Sequence, residues 1–357
     1  VMNLERYTRQ TQLKEFGLEA QNKLSEAKVL VVGAGGLGVP ALTYLNAMGV
    51  GTLGIVDSDV VSLSNLHRQV SYYENEVGES KVSSLIKKLQ AQNSATNLIP
   101  HHTFLSTENA LAIIAAYDVV LDASDNFPTR YLVNDACVIL KKPFVYGALH
   151  SFEGQVSVFN FEDGPTYRCI FPTMPNPAEI PNCNENGVLG VVPGIIGNLQ
   201  ALEVVKVITG IGEALSGKFL LFDGLSQNYQ KINFKKVAGN DTITQLKDSY
   251  EFRCEIGGSA ITTQELTELL KKEDLQVIDV RTDAEYQQFH LEEAIHIPLS
   301  ALESKLEAIN YSKDIYVICQ SGIRSQKAIE LIGALRPNAT LINVAGGMNK
   351  LNGYALR

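Results

Sequence analysis

Three groups of residues in this chain have types and spacings that could do chemistry. The first is the glycine cluster Gly33, Gly35, Gly36 and Gly38 in "VLVVGAGGLG". A G-x-G-x-x-G turn between a strand and a helix lets a phosphate approach backbone N–H groups at the helix N-terminus. Asp57 follows about two dozen residues on, where the dinucleotide fingerprint sets an acid against a ribose hydroxyl. The glycines and the acid leave NAD, FAD or another nucleotide open. The residues after Asp57 favour a triphosphate. Asn65, Arg68 and Gln69 lie just past that strand end, and Lys81 opens the next helix. A guanidinium forks onto phosphate oxygens and an ammonium adds a compact charge. Asp125, in "DASDN" beyond a further apolar strand, could hold the Mg2+ that accompanies such a nucleotide.

The second group is "CQSGIR", Cys319 to Arg324, between the apolar run "DIYVI" and the helical "SQKAIELIGAL". A thiol at a helix N-terminus ionises more readily, and the N–H groups there form an anion nest that Arg324 would close. The third is Cys183, in the polar "IPNCNENGVLG" after a run of prolines. A thiol in such a loop is expected to be exposed, unlike a packing cysteine. Cys137, on an apolar helix face, reads as core.

Positioning these groups requires two domains, which 357 residues can supply. Strand, glycine turn, helix and strand over residues 28–57 open a doubly wound parallel sheet. Further βα units follow, then a stretch that alternates like antiparallel strands (143–161) and the long apolar helix "GIIGNLQALEVVKVITG". The chain then turns polar and aperiodic before a second, smaller βα pattern. The expected fold is α/β, a Rossmann-like doubly wound sheet over residues 1–240, a linker over 241–256 and a smaller α/β domain over 257–357.

A net charge of −9 argues against nucleic acid as the main partner. Five scattered cysteines do not form a disulfide framework, so a reducing, cytoplasmic setting is expected. The N-terminal residues lack an apolar core of signal-peptide type. The uncharged stretch from Val29 to Val56 holds seven glycines and Pro40, which suits strand–turn–helix–turn–strand and no membrane segment.

The motifs "RYTRQ" (6–10), "GAGGLG" (33–38), "VDSDVVSLSNLHRQ" (56–69), "GESK" (78–81) and "LDASDN" (121–126) together resemble the MoeB/ThiF/HesA adenylyltransferases, relatives of the enzymes that activate ubiquitin. The resemblance implies Mg-ATP-dependent adenylation of the C-terminal Gly-Gly carboxylate of a small ubiquitin-like sulfur carrier, of molybdopterin-synthase or thiamine type. It also implies roles. Asp57 would bind ribose, Asn65, Arg68 and Lys81 the phosphates, and Asp125 magnesium. Arg9 would reach the triphosphate from a partner subunit, which makes a homodimer the expected assembly. Cys183, in the family's "C-x-x-x-G-V-L-G", would form a transient link to the activated carrier.

Residues 258–357, with "VIDVRTDAEYQQFH" (Asp279, Arg281, Glu285) ahead of "CQSGIR", resemble a rhodanese domain. In that family the loop cysteine carries a persulfide, supplied by a donor such as a cysteine desulfurase. The chain departs from both patterns in places. Many relatives hold zinc with two C-x-x-C pairs, but here Thr166 replaces one ligand, Cys169 remains, and Cys254 stands alone. Four tetrahedral ligands cannot be assembled from these, so no structural zinc is expected. The rhodanese tryptophan after "GGM" is also missing. An NAD-dependent oxidoreductase would explain the glycines and Asp57 but not "SNLHRQ", Lys81 or "CQSGIR". A non-catalytic scaffold would not explain an intact Cys319–Arg324 loop.

Overall fold

The computed structural model describes residues 4–175, 187–250 and 259–351, apart from Glu293 and Ser321. These fall into two compact units, the first ending at residue 250 and the second starting at 259.

The first unit begins with two helices, α1 (Leu4–Thr11) and α2 (Gly17–Glu26). The alternation β1 (Lys28–Val32), α3 (Gly38–Ala47), β2 (Thr52–Val56), α4 (Lys81–Gln92), β3 (Asn97–His101) follows. A second run holds α5 (Ala110–Ala115), β4 (Val119–Asp122), α6 (Phe127–Leu140), β5 (Phe144–His150) and β6 (Glu153–Phe159). The helix α7 (Val191–Thr209) and the hairpin β7 (Lys218–Asp223), β8 (Asn228–Asn233) complete it. The sheet order is β3-β2-β1-β4-β5-β6-β7-β8, parallel from β3 to β5 and antiparallel beyond.

The sequence of β1 shows why this sheet is covered on both faces. Successive strand side chains point to opposite faces. Val29 and Val31 enter the core beneath α2, α3, α4 and α7, while Leu30 and Val32 enter the core with α5 and α6. All four are buried, each contributing about 1.5–3 kcal/mol, so a continuous apolar run replaces the alternation of a half-exposed strand.

Among the described residues α7 is the one helix long and apolar enough to cross a membrane. Here it packs against α3, β5 and β6. Gly197 makes that approach possible, since a Cβ there would lie 2.3 Å from the Leu37 carbonyl oxygen.

Within the stretch read as linker, residues 241–250 are anchored on the first unit through Leu246 and Tyr250. Tyr250 is buried, and its hydroxyl donates to Asp135 Oδ2 at 2.6 Å. Arg168 grips the same carboxylate through two bonds of 2.7 Å and lies over the Tyr131 ring. Aperiodic sequence looks like a linker, but Leu246 and Tyr250 supply enough apolar surface to join the aromatic core.

The second unit is β9 (Ser259–Thr262), α8 (Thr263–Leu270), β10 (Gln276–Asp279), α9 (Asp283–Gln288), β11 (Ala294–His296), β12 (Ile315–Ile318), α10 (Ile323–Leu335) and β13 (Leu341–Ala345). Its five strands are all parallel, in the order β11-β10-β12-β13-β9. Cys319 follows the central strand β12 directly, at the mouth of α10.

Candidate active sites

In the first unit the sheet order reverses between β1 and β4, and the loops after those strands meet there. Open α/β sheets bind ligands at this kind of switch point, outside the carboxyl ends of the strands. Two glycines make the junction possible. Gly33 has φ +105°, and a Cβ on it would sit 2.7 Å from the Ala123 carbonyl oxygen of the β4 loop. A Cβ on Gly38 would lie 1.8 Å from the Gly33 carbonyl oxygen. Gly35 and Gly36 face other neighbours. A Cβ on Gly35 would lie 3.5 Å from Gln69 Nε2, and one on Gly36 would meet Pro193 of α7 at 3.0 Å with Arg68 Cγ next at 3.6 Å. The glycine loop, Arg68 and Gln69 are therefore brought together as a cradle a phosphate could occupy. Gln69 is buried, and its Oε1 has no hydrogen-bond partner, which suits a site that takes a polar ligand.

Asp57, at the end of β2, accepts the Ala34 N–H on Oδ2 and the Asp59 N–H on Oδ1, both at 2.8 Å. Burial raises its carboxyl above the ordinary range, with Lys81 opposing. Lys81 begins α4 and is buried, but its ammonium is engaged by Asp59 Oδ2 at 2.8 Å. Arg68 donates to the Ser64 carbonyl at 3.0 Å and contacts His67 Nε2. Asn65 accepts the N–H groups of Arg68 and Gln69 on its carbonyl, closing the turn that carries them.

The loop bearing Asp125 winds around buried Asp122, whose Oδ1 takes the Ser124 N–H at 3.0 Å and hydroxyl at 2.6 Å. Buried Arg130 donates to the Ser124 carbonyl at 3.3 Å, and Gln200 of α7 donates to the Asp122 carbonyl at 2.7 Å. This bracing leaves Asp125 exposed at the switch point.

Arg9 lies elsewhere. Its helix α1 is latched through Tyr7 to Asn93 and through Gln10 to the Met48 carbonyl. Those partners end α4 and α3, about 15 Å along α3 from the glycine loop at 1.5 Å rise per residue. Arg9 is exposed at that far end and does not join its own chain's cradle. Cys183 and Cys254 lie outside the described residues.

In the second unit Cys319 is buried, and its Sγ accepts the Gly322 N–H at 3.1 Å. Gly322 takes φ +94°, and Gly347 packs beneath the loop where a Cβ would meet the Cys319 carbonyl oxygen at 2.2 Å. Arg281, fully buried, pairs with Asp279 at 2.7 Å and donates to Gln320 Oε1 at 3.2 Å. Arg324 is not free to close an anion nest, because Glu285 holds it through bonds of 2.7 and 2.5 Å. Burial alone would raise the Glu285 carboxyl. Arg324 and Thr282 outweigh it and bring it down to about 2.

Residues 7–242 match the ThiF family and residues 262–353 match the rhodanese-like domain. This chain belongs to the ThiF family. It is 41% identical over 96% of its length to the adenylyltransferase and sulfurtransferase MOCS3 of Xenopus laevis, covering 85% of that protein. It is 42% identical over 92% of its length to MOCS3-2 of Zea mays, covering 74% of it. Escherichia coli MccB, solved with ATP, shares the fold at a TM-score of 0.59 and 22% identity, with 66% of this chain and 74% of that chain covered. The chain is an adenylyltransferase joined to a sulfurtransferase.

Against this ThiF-family frame, three partners were not visible in the sequence: Asp59 on Lys81, Glu285 on Arg324, and the Asp122–Arg130 support of Asp125. None carries a recognisable motif: Lys81 and Arg324 meet their acids across 22 and 39 residues, and the Asp122, Ser124 and Arg130 bonds depend on how the β4–α6 turn folds. Among the described residues no group of three or more His, Cys, Asp or Glu could hold a metal ion. Cys169 instead accepts the Val237 N–H at 3.3 Å and contacts Thr166 Oγ1 and Asn240 Nδ2. Burial would raise this thiol, yet those hydrogen bonds together bring it below its ordinary value.

Proposed function

We propose that the first unit uses Mg-ATP to adenylate the C-terminal glycine of a small ubiquitin-like sulfur carrier and that Cys319 then supplies sulfur to that glycine. The carrier carboxylate attacks the α-phosphorus, forming an acyl–AMP bond and releasing pyrophosphate. The outer sulfur of a Cys319 persulfide attacks the acyl carbon and displaces AMP. A thiol then reduces the resulting acyl disulfide, leaving a thiocarboxylate on the carrier. Cys183 is our candidate for that thiol: its attack on Cys319 Sγ expels the thiocarboxylate and leaves a Cys183–Cys319 disulfide, which an external thiol reduces before a persulfide donor such as a cysteine desulfurase recharges Cys319. The carrier of molybdenum cofactor biosynthesis is favoured over one of thiamine type, because relatives similar over more than nine-tenths of this chain bear the name adenylyltransferase and sulfurtransferase MOCS3.

The observation that carries this reading is the convergence of the glycine loop, Arg68, Gln69 and Asp125 at the switch point. The cradle fits a nucleotide phosphate. Asp125 would hold Mg2+, an exposed carboxylate being a hard oxygen ligand that leaves other positions to phosphate and water. Bound there, the ion would screen charge developing on the triphosphate. Arg68 would clamp phosphate oxygens and Asp57 would accept a ribose hydroxyl. Lys81 would exchange Asp59 for phosphate, a swap between anions that needs no new desolvation of the buried ammonium. Arg9, exposed at the far end of α3 and remote from its own cradle, would serve a triphosphate only in a homodimer that brings it to the other copy's site. Free thiols at Cys137, Cys169 and Cys319 suit a reducing, cytoplasmic setting.

ATP–pyrophosphate exchange tests the first step. With a Gly-Gly-tailed carrier, wild type is expected to exchange and Asp125→Ala to lose at least about a hundredfold. Equal exchange by both would remove Asp125 from the site.

A further inference from the structure

The two cations nearest the Cys319 loop are already committed. Arg324 is held by Glu285, and Arg281 by Asp279. The groups that meet the sulfur itself are neutral. Besides the Gly322 N–H, the Ser325 hydroxyl lies 3.4 Å from Sγ and 2.7 Å from Asn343 Oδ1. Ser325 is buried in the first turn of α10, and Asn343 stands on the neighbouring strand β13.

The orientation of Asn343 is fixed by its other contact. Its Nδ2 donates to the Gly322 carbonyl at 3.2 Å, so Oδ1 faces Ser325. A serine hydroxyl has one proton. It serves Asn343 when the sulfur carries its own proton or a second sulfur atom, and the charged sulfur when Cys319 is ionised. Asn343 also grips Gly322, the residue whose N–H points at Sγ.

We propose that Ser325 is a catalytic hydrogen-bond donor to the reacting sulfur and that Asn343 is its positioning residue. This rests on the sulfurtransferase reading of the second unit. In the loading step the Cys319 thiolate attacks the sulfane sulfur of a donor such as thiosulfate. The new S–S bond forms, the sulfane–sulfonate bond breaks, and sulfite leaves with the electron pair. Charge moves from Sγ to the outer sulfur, and the Ser325 proton turns back to Asn343 Oδ1. A hydrogen bond to a charged sulfur is stronger than one to a neutral sulfur, so the pair holds a donor ready for the charge on Sγ without touching the sulfur donor.

The test uses the full chain, with thiosulfate–cyanide sulfur transfer and iodoacetamide alkylation of Cys319 followed across pH by peptide mass spectrometry. Ser325→Ala is expected to lower kcat roughly tenfold with KM for thiosulfate within about twofold. Its alkylation curve should move to higher pH, and Ser325→Thr should recover most of both losses. Asn343→Asp, which removes the amide N–H on Gly322, should show the same pattern as Ser325→Ala. Wild-type kcat and an unmoved alkylation curve in both Ser325→Ala and Asn343→Asp would overturn the proposal, as would a threonine variant no better than alanine. If the wild type transfers no sulfur from thiosulfate, the sulfurtransferase reading fails on its own, and the alkylation curves still decide the role of the pair.

Discussion

Glu285 shows how one residue can set what the sulfur site accepts. By holding Arg324 it neutralises the cation that would otherwise draw in small anions, so thiosulfate meets a weaker field at the loop. Glu285→Gln should free the guanidinium and lower KM for thiosulfate roughly three- to tenfold, with kcat little changed, in steady-state sulfurtransferase assays. The pH dependence of the pair has a definite sign. The folded carboxyl sits at about 2 against an ordinary 4.5, so its contribution to stability is complete above about pH 4.5 and is lost as pH falls toward 2. Melting of the second unit should steepen its decline over that window in wild type and flatten in Glu285→Gln. The place of Cys319 between a strand and the mouth of α10 was legible in the sequence because a helix N-terminus follows from local order. Glu285 as the partner of Arg324 was not, because the two meet only through folding, 39 residues apart.

At the scale of elements, three of the loop glycines divide by what surrounds them. Gly38 has no room for a side chain, and Gly33 lacks both room and a negative φ. Gly38→Ala should destabilise the first unit by about 3 kcal/mol or more, read as a lost or lowered thermal transition. Gly35 has space and lies toward Gln69. Gly35→Ala should keep the wild-type melting temperature and lose ATP affinity, measured by calorimetry, because the added methyl occupies the cradle.

The same scale explains the docked segment before residue 250. Asp135 is buried and binds both Arg168 and Tyr250. Removing one member of a buried ion pair strands the other at a cost of about 3–5 kcal/mol. Asp135→Ala should therefore release residues 241–250 to limited proteolysis well before the rest of the unit unfolds. The glycine turn, strands and helices could be read from periodicity and φ requirements. This docking could not, because the tie is a side-chain network between α6, residues 166–171 and a stretch with no pattern of its own. Nor could the environment of Cys169 be read, since its partners Val237 and Asn240 lie 68 and 71 residues away in a stretch with no pattern.

Across the whole molecule, two units each present a candidate site at the carboxyl ends of parallel strands, which the proposal assigns to phosphate in the first and to sulfur in the second. Joining them in one chain raises the concentration of persulfide near the acyl-adenylate without any new contact. Adenylation makes AMP the leaving group, and the persulfide, largely ionised at neutral pH, is the nucleophile that needs one. The order of events follows from this chemistry: no sulfur reaches the carrier until its carboxylate is activated. Intact-mass spectrometry of a Gly-Gly-tailed carrier, incubated with Mg-ATP, thiosulfate and a thiol reductant, examines both halves at once. Wild type should yield thiocarboxylate, Cys319→Ala should stop at the adenylate, and Asp125→Ala should leave the carrier unmodified. Thiocarboxylate formed as fast by Cys319→Ala as by wild type would contradict the coupling of the two sites.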